Sequence, residues 1–113
     1  MKIAELTDYL ELFAPLSYQE DYDNSGLILG NPKEEIKGVL ISLDVTSEVI
    51  KEAIEKGCNL IIAHHPLIFK GLKKLKGKNY VEEAAILAIK NDVAVYAIHT
   101  NLDNVVKGVN FKI

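Results

Sequence analysis

The sequence predicts an α/β fold, a mainly parallel sheet with helices packed on it, and three observations carry that reading. Short, continuous apolar runs at 38–43, 59–63 and 93–98 read as strands buried on both faces. Segments with helical periodicity at 47–57 and 80–91 separate them, and helical crossovers join parallel neighbours with right-handed connections. The 113 residues make a single domain, 1–113, with room for a core and with no repeat, low-complexity segment or linker to divide it.

In chain order, residues 2–14 form an amphipathic helix. Ile3, Leu6, Leu10 and Phe13 recur at helical spacing, Leu12 widens the stripe, and Glu5, Asp8 and Glu11 fall on the other side; Pro15 ends it. Residues 17–25 are a polar, acidic loop, in which Asp21, Asp23 and Asn24 read as turn formers or, alternatively, as metal or substrate groups. Leu27-Ile28-Leu29-Gly30 is a short strand, and Asn31-Pro32 opens a turn. Strand 38–43 gives way at Asp44-Val45-Thr46-Ser47 to helix 47–57, which Thr46 or Ser47 can cap and Gly57 closes. Val49, Ile50, Ala53 and Ile54 give that helix its apolar face.

The run Asn59–Ala63 stops at His64-His65-Pro66, because proline cannot donate to a ladder and biases the residue before it to extended or turn geometry. Helix 80–91 carries Val81, Ala84, Ala85, Leu87 and Ala88 and breaks at Asn91-Asp92. Strand 93–98 then runs into His99-Thr100-Asn101-Leu102-Asp103-Asn104. With three parallel strands, the carboxyl ends fall on one edge of the sheet. They carry Asp44, His64 with His65, and His99 with Asp103, so all three histidines of the chain lie where open α/β sheets bind their ligands.

Composition narrows the classes. At 49% hydrophobic and 26% charged the chain is an ordinary globular protein, and a net charge of -3 with no basic stripe makes nucleic acid an unexpected partner. Lys70, Lys73, Lys74, Lys76 and Lys78, interspersed with Gly71 and Gly77, read as a solvated loop rather than a phosphate cradle. Cys58 is the one cysteine, so no internal disulfide forms; before an apolar strand it reads as a small buried residue, consistent with a reducing compartment. No apolar run approaches the roughly 18 residues that span a bilayer. The first five residues turn acidic too early for a signal peptide, so no membrane and a cytoplasmic location are expected. No glycine-rich phosphate loop follows a strand, and Ser42 and Ser47 lack the setting of a nucleophile elbow.

Histidine and aspartate are the nitrogen and oxygen donors that suit zinc, iron, manganese and similar divalent ions. A metal site is therefore expected at the carboxyl ends of the strands, the competing reading being an ordinary loop at His64-His65-Pro66 and an ordinary turn at Asp103-Asn104. Adjacent residues of an extended chain point in opposite directions, so His64 and His65 do not easily grip one ion unless the backbone kinks. Each can instead serve one ion of a pair, with Asp103 as the carboxylate between them; two such ions activate water and clamp a hydrolysis. His99 is a candidate supporting group or proton carrier, and Asp44 either orients a ligand histidine or caps the next helix.

Four motifs resemble one known family: Asp23-Asn24-Ser25-Gly26-Leu27, Asp44-Val45-Thr46, His64-His65-Pro66-Leu67-Ile68-Phe69 and His99-Thr100-Asn101-Leu102-Asp103. It is the family named GTP cyclohydrolase 1 type 2 homolog, or Ngg-interacting-factor-like, and the motifs follow its order and spacing over nearly the whole chain. Tyr22 stands where many members have tryptophan. The resemblance implies an α/β fold, toroidal homohexamers and a dinuclear site of two divalent metal ions. His64 and His65 match the paired histidine ligands, Asp103 the bridging carboxylate and His99 a pocket histidine; the Asp23 to Leu27 motif matches a loop near the site.

The activity it implies is metal-dependent hydrolytic opening of the guanine imidazole ring, with GTP or another nucleotide as small-molecule substrate. That reaction needs attack on C8 and a proton donor for the ring nitrogen, a role open to His99. Members continue into a second half that returns a histidine and a glutamate to the metals. This sequence is therefore expected to be the family's N-terminal half, whether fragment or short form, with an apolar surface that favours self-association. The competing readings are a non-catalytic metal-binding or regulatory module and a dinuclear-metal phosphoesterase.

Overall fold

The computed structural model describes residues 1–20, 24–68 and 74–104. Asp21, Tyr22, Asp23, Phe69, Lys70, Gly71 and Lys73 lie outside the described residues.

Helix α1 spans Ile3–Phe13 and a 3-10 turn covers Leu16–Tyr18. Strand β1 is Gly26–Leu29, β2 Val39–Ser42, β3 Leu60–Ala63 and β4 Ala94–Ala97; helix α2 is Ser47–Glu55 and α3 Tyr80–Lys90. The sheet order is β1-β4-β3-β2. β2, β3 and β4 are parallel and in sequence order, as the alternation of apolar runs and helices requires. β1 adds an antiparallel edge to β4, with a register shift between Leu27 and Leu29. Gly30, just past that strand, has a φ of +117°, and a Cβ on it would meet the Ala94 Cβ at 2.4 Å, so only glycine lets the two backbones close up here.

Pleat alternation divides the core. Ile61, Ala63, Val93 and Val95 face α2 and α3, where Ile50, Ala53, Ala84, Ala85 and Ala88 meet them. Leu60, Ala94 and Tyr96 face the other way with Ile3, and Leu6 and Leu10 pack against that cluster. The buried apolar residues of α3 are the alanines Ala84, Ala85 and Ala88. Burial pushes the Tyr96 phenol up to about 12, with Glu11 and Asp8 of α1 adding to the shift.

Local chemistry sets the helix ends. The Thr46 side chain accepts from Val49 N at 3.3 Å and caps α2; Gly57 follows the helix with a φ of 72°. Asn79 caps α3 through Glu82 N at 3.0 Å, and the Glu82 carboxylate accepts from Lys76 N at 2.9 Å. The exposed Lys74, Lys76 and Lys78 agree with a solvated stretch.

Three expectations need correction. Leu12 and Phe13 are not part of the buried stripe of α1: they are 83% and 60% exposed. The face that packs runs Ile3, Leu6, Thr7, Leu10 and Ala14, because the last contact falls four residues after Leu10 and not three. Cys58 is half-buried rather than buried, its sulfur lying beside Gly38 at the mouth of the β2–β3 pair. On β2, Val39 and Ile41 remain exposed, at the edge of the sheet opposite β1, against which α1 packs.

Candidate metal centre

The site is assembled by continuing the parallel ladder past the formal strand ends. His64 N donates to Ser42 O at 3.2 Å, His65 N to Leu43 O at 2.9 Å and Ile98 N to Ala63 O at 2.9 Å. These bonds hold the three strand ends side by side, while Pro66 turns the chain away directly after His65. The backbone bends at His64 and His65, so the period-two alternation of the strand fails there. The two rings consequently share one side, their centroids 5.2 Å apart. This is the kink that extended geometry alone would not supply.

His99 completes the group. Its ring centroid lies 4.8 Å from that of His64 and 5.3 Å from that of His65, both edge-on. One nitrogen from each of the three imidazoles lies within 4.8 Å of the others, a cluster that can hold a metal ion. A turn of helix begins at Thr100, with Leu102 N and Asp103 N donating to His99 O at 3.1 and 3.2 Å. That turn brings an Asp103 carboxylate oxygen to 3.6 Å from His64 Nε2. Three imidazoles beside a carboxylate form the borderline nitrogen and oxygen donor set of zinc, iron and manganese sites, so these residues fit a divalent ion.

Each of the paired histidines has its second nitrogen engaged. His64 Nδ1 meets the carbonyl of Ile98 at 2.8 Å. His65 Nδ1 meets Asp44 Oδ1 at 2.5 Å. Of the two roles open to Asp44, the cap of α2 falls to Thr46, and the Asp44 carboxylate lies against His65.

Sequence reasoning passed over the residues that seat the His99 turn. Asn101 is fully buried; its side-chain oxygen accepts from His99 N at 2.9 Å and its amide donates to Ala14 O at 2.8 Å. Thr100 Oγ1 accepts from Glu20 N at 2.9 Å, and Asn104 donates to Tyr18 O. The available signal was the short polar run after His99, whose Thr and Asn side chains are suited to capping and turn bonds. Asn24 of the acidic loop donates to Ile68 O at 2.5 Å, tying that loop to the segment that follows His65.

The profile of the Duf34/NIF3 family, NGG1p interacting factor 3, matches residues 1–113. The chain belongs to the Duf34/NIF3 family. This NIF3-family chain is 43% identical over 110 residues to a Clostridium acetobutylicum protein named "GTP cyclohydrolase 1 type 2 homolog", covering 97% of the chain and 41% of that protein. It is 50% identical over 110 residues to a protein of the same name from Staphylococcus aureus strain COL, covering 97% and 30%. The crystal structure of Staphylococcus aureus protein SA1388 superposes with a TM-score of 0.85 at 50% identity, over 91% of this chain and 29% of that one. The chain therefore spans less than half the length of these relatives. Among the described residues, no helix is long and apolar enough to cross a membrane.

Proposed function

We propose that this NIF3-family chain contributes the strand-end half of a dinuclear, divalent-metal-dependent hydrolase site. The observation that supports the reading is the convergence of His64, His65 and His99 at the carboxyl edge of the sheet, with Asp103 beside His64. His64, His65 and Asp103 are assigned as ligands of two divalent ions such as zinc, iron or manganese. When bound, such ions supply an activated water and polarise the bond to be cleaved. The chain's own groups then have distinct tasks. His64 and His65 donate nitrogen, Asp103 offers two oxygens, and His99 holds a proton for the leaving atom.

By analogy with the relatives' name, the substrate is GTP or another nucleotide whose guanine imidazole ring is opened hydrolytically, in the cytoplasm. Self-association, up to the hexamers that the sequence resemblance implies, completes the proposal. Metal analysis of the purified chain tests it. Bound divalent metal, largely lost in His65→Ala, is the expected outcome; a chain that neither carries metal nor takes up added zinc or manganese refutes it. Turnover of GTP that depends on that metal and fails in His99→Ala would assign the reaction. Turnover of simple phosphoesters instead would reassign it to phosphoester cleavage.

A further inference from the structure

We propose that Asp44 is a positioning residue of this site: its carboxylate fixes the proton of His65 on Nδ1 and thereby turns the bare Nε2 toward the metal. The inference rests on the metal-site reading and deepens it. A neutral imidazole carries one proton, and the nitrogen that is hydrogen-bonded as donor leaves the other as ligand. A carboxylate only accepts, so the 2.5 Å contact between His65 Nδ1 and Asp44 Oδ1 puts the proton on Nδ1. The neighbouring histidine obeys the same rule by a different route. The Ile98 carbonyl, which also only accepts, faces His64 Nδ1 at 2.8 Å, and the nitrogen that His64 directs at Asp103 is Nε2.

Asp44 is free for this work. The neighbouring helix takes its cap from Thr46, and Ser42 Oγ donates to the Asp44 carbonyl at 2.6 Å, which shapes the turn from which the carboxylate reaches across. The contact joins the ends of β2 and β3, residues 21 apart in sequence, so no local turn chemistry accounts for it.

The test reads the tautomer directly. Long-range ¹⁵N–¹H NMR of the histidine-labelled, metal-free chain is recorded at alkaline pH. His65 is expected as the Nδ1–H form in the parent and in Asp44→Asn, whose amide oxygen still accepts, and as the Nε2–H form in Asp44→Ala. His64 keeps the Nδ1–H form in all three, because its partner is main chain. Calorimetric titration with zinc is expected to weaken about 10–100-fold in Asp44→Ala and less in Asp44→Asn, the usual range for a carboxylate behind a ligand histidine. An Nε2–H form of His65 in the parent overturns the proposal, and so does unchanged zinc affinity in Asp44→Ala. If the parent binds no zinc yet His65 switches tautomer in Asp44→Ala, the hydrolase reading fails while control of His65 by Asp44 is upheld.

Discussion

The two adjacent histidines lean on opposite kinds of strand. His64 is backed by the main chain just past β4, all four of whose residues are buried. His65 is backed by a side chain just past β2, an edge strand among the described residues, on which Ile41 is 80% exposed. A carbonyl on a buried central strand is fixed by the fold, and any residue at position 98 would supply it. A carboxylate on an exposed edge is fixed only by its identity and its rotamer. The centre of the sheet therefore sets where the site is, and the edge sets a detail of it that a single substitution can erase.

Substitutions in the two regions test that contrast. The largest effect is expected at Ile61, fully buried in β3: Ile61→Ala should cost about 2–5 kcal/mol in urea unfolding, through lost transfer energy and the cavity left behind. A cost near zero would mean that the centre is looser than its burial implies. Asn101→Ala should follow at about 2 kcal/mol, since it strips a partner from His99 N and from Ala14 O. It should also displace the His99 ring, visible as changed His99 chemical shifts. The smallest effect is expected at Ile41→Ala, within about 0.5 kcal/mol. Should Ile41→Ala instead approach the Ile61→Ala cost, and do so in a concentration-dependent way, the β2 face is covered by another copy in solution.

What could be read from the sequence follows the same division. The central strands were legible because burial on both faces leaves unbroken apolar runs, and their parallel order because helices of crossover length lie between them. The site histidines were legible because Pro66 marks where β3 must open. The common side of His64 and His65 was not, since it depends on a bend that alternation rules do not contain. Nor was the burial of Asn101, a residue type usually found in solvent, because its partner Ala14 lies 87 residues away in sequence. The antiparallel seat of β1 beside β4 is likewise set by long-range pairing that no local pattern encodes. The choice of Ala14 over Phe13 on α1 turned on a single step of helix phase.

The bonds that seat the His99 turn have a consequence for how the chain comes to exist. Asn101 reaches Ala14, Thr100 reaches Glu20, and among the described residues β1 pairs with β4 alone. A chain synthesised from its amino end thus releases β1 and the end of α1 long before these partners have left the ribosome, whereas the start of α1 is held by the nearby Pro32 and Glu34 carbonyls. Closing loops of that span carries an entropic cost that local contacts must first offset. The parallel pair β2–β3 with α2 can gather early, as can the start of α1 against residues 32–36, but β1 and the end of α1 wait for the last dozen residues described. The seating of His99 and the tie to the end of the amino-terminal helix therefore depend on the same turn, and a nascent chain lacking residue 101 has neither.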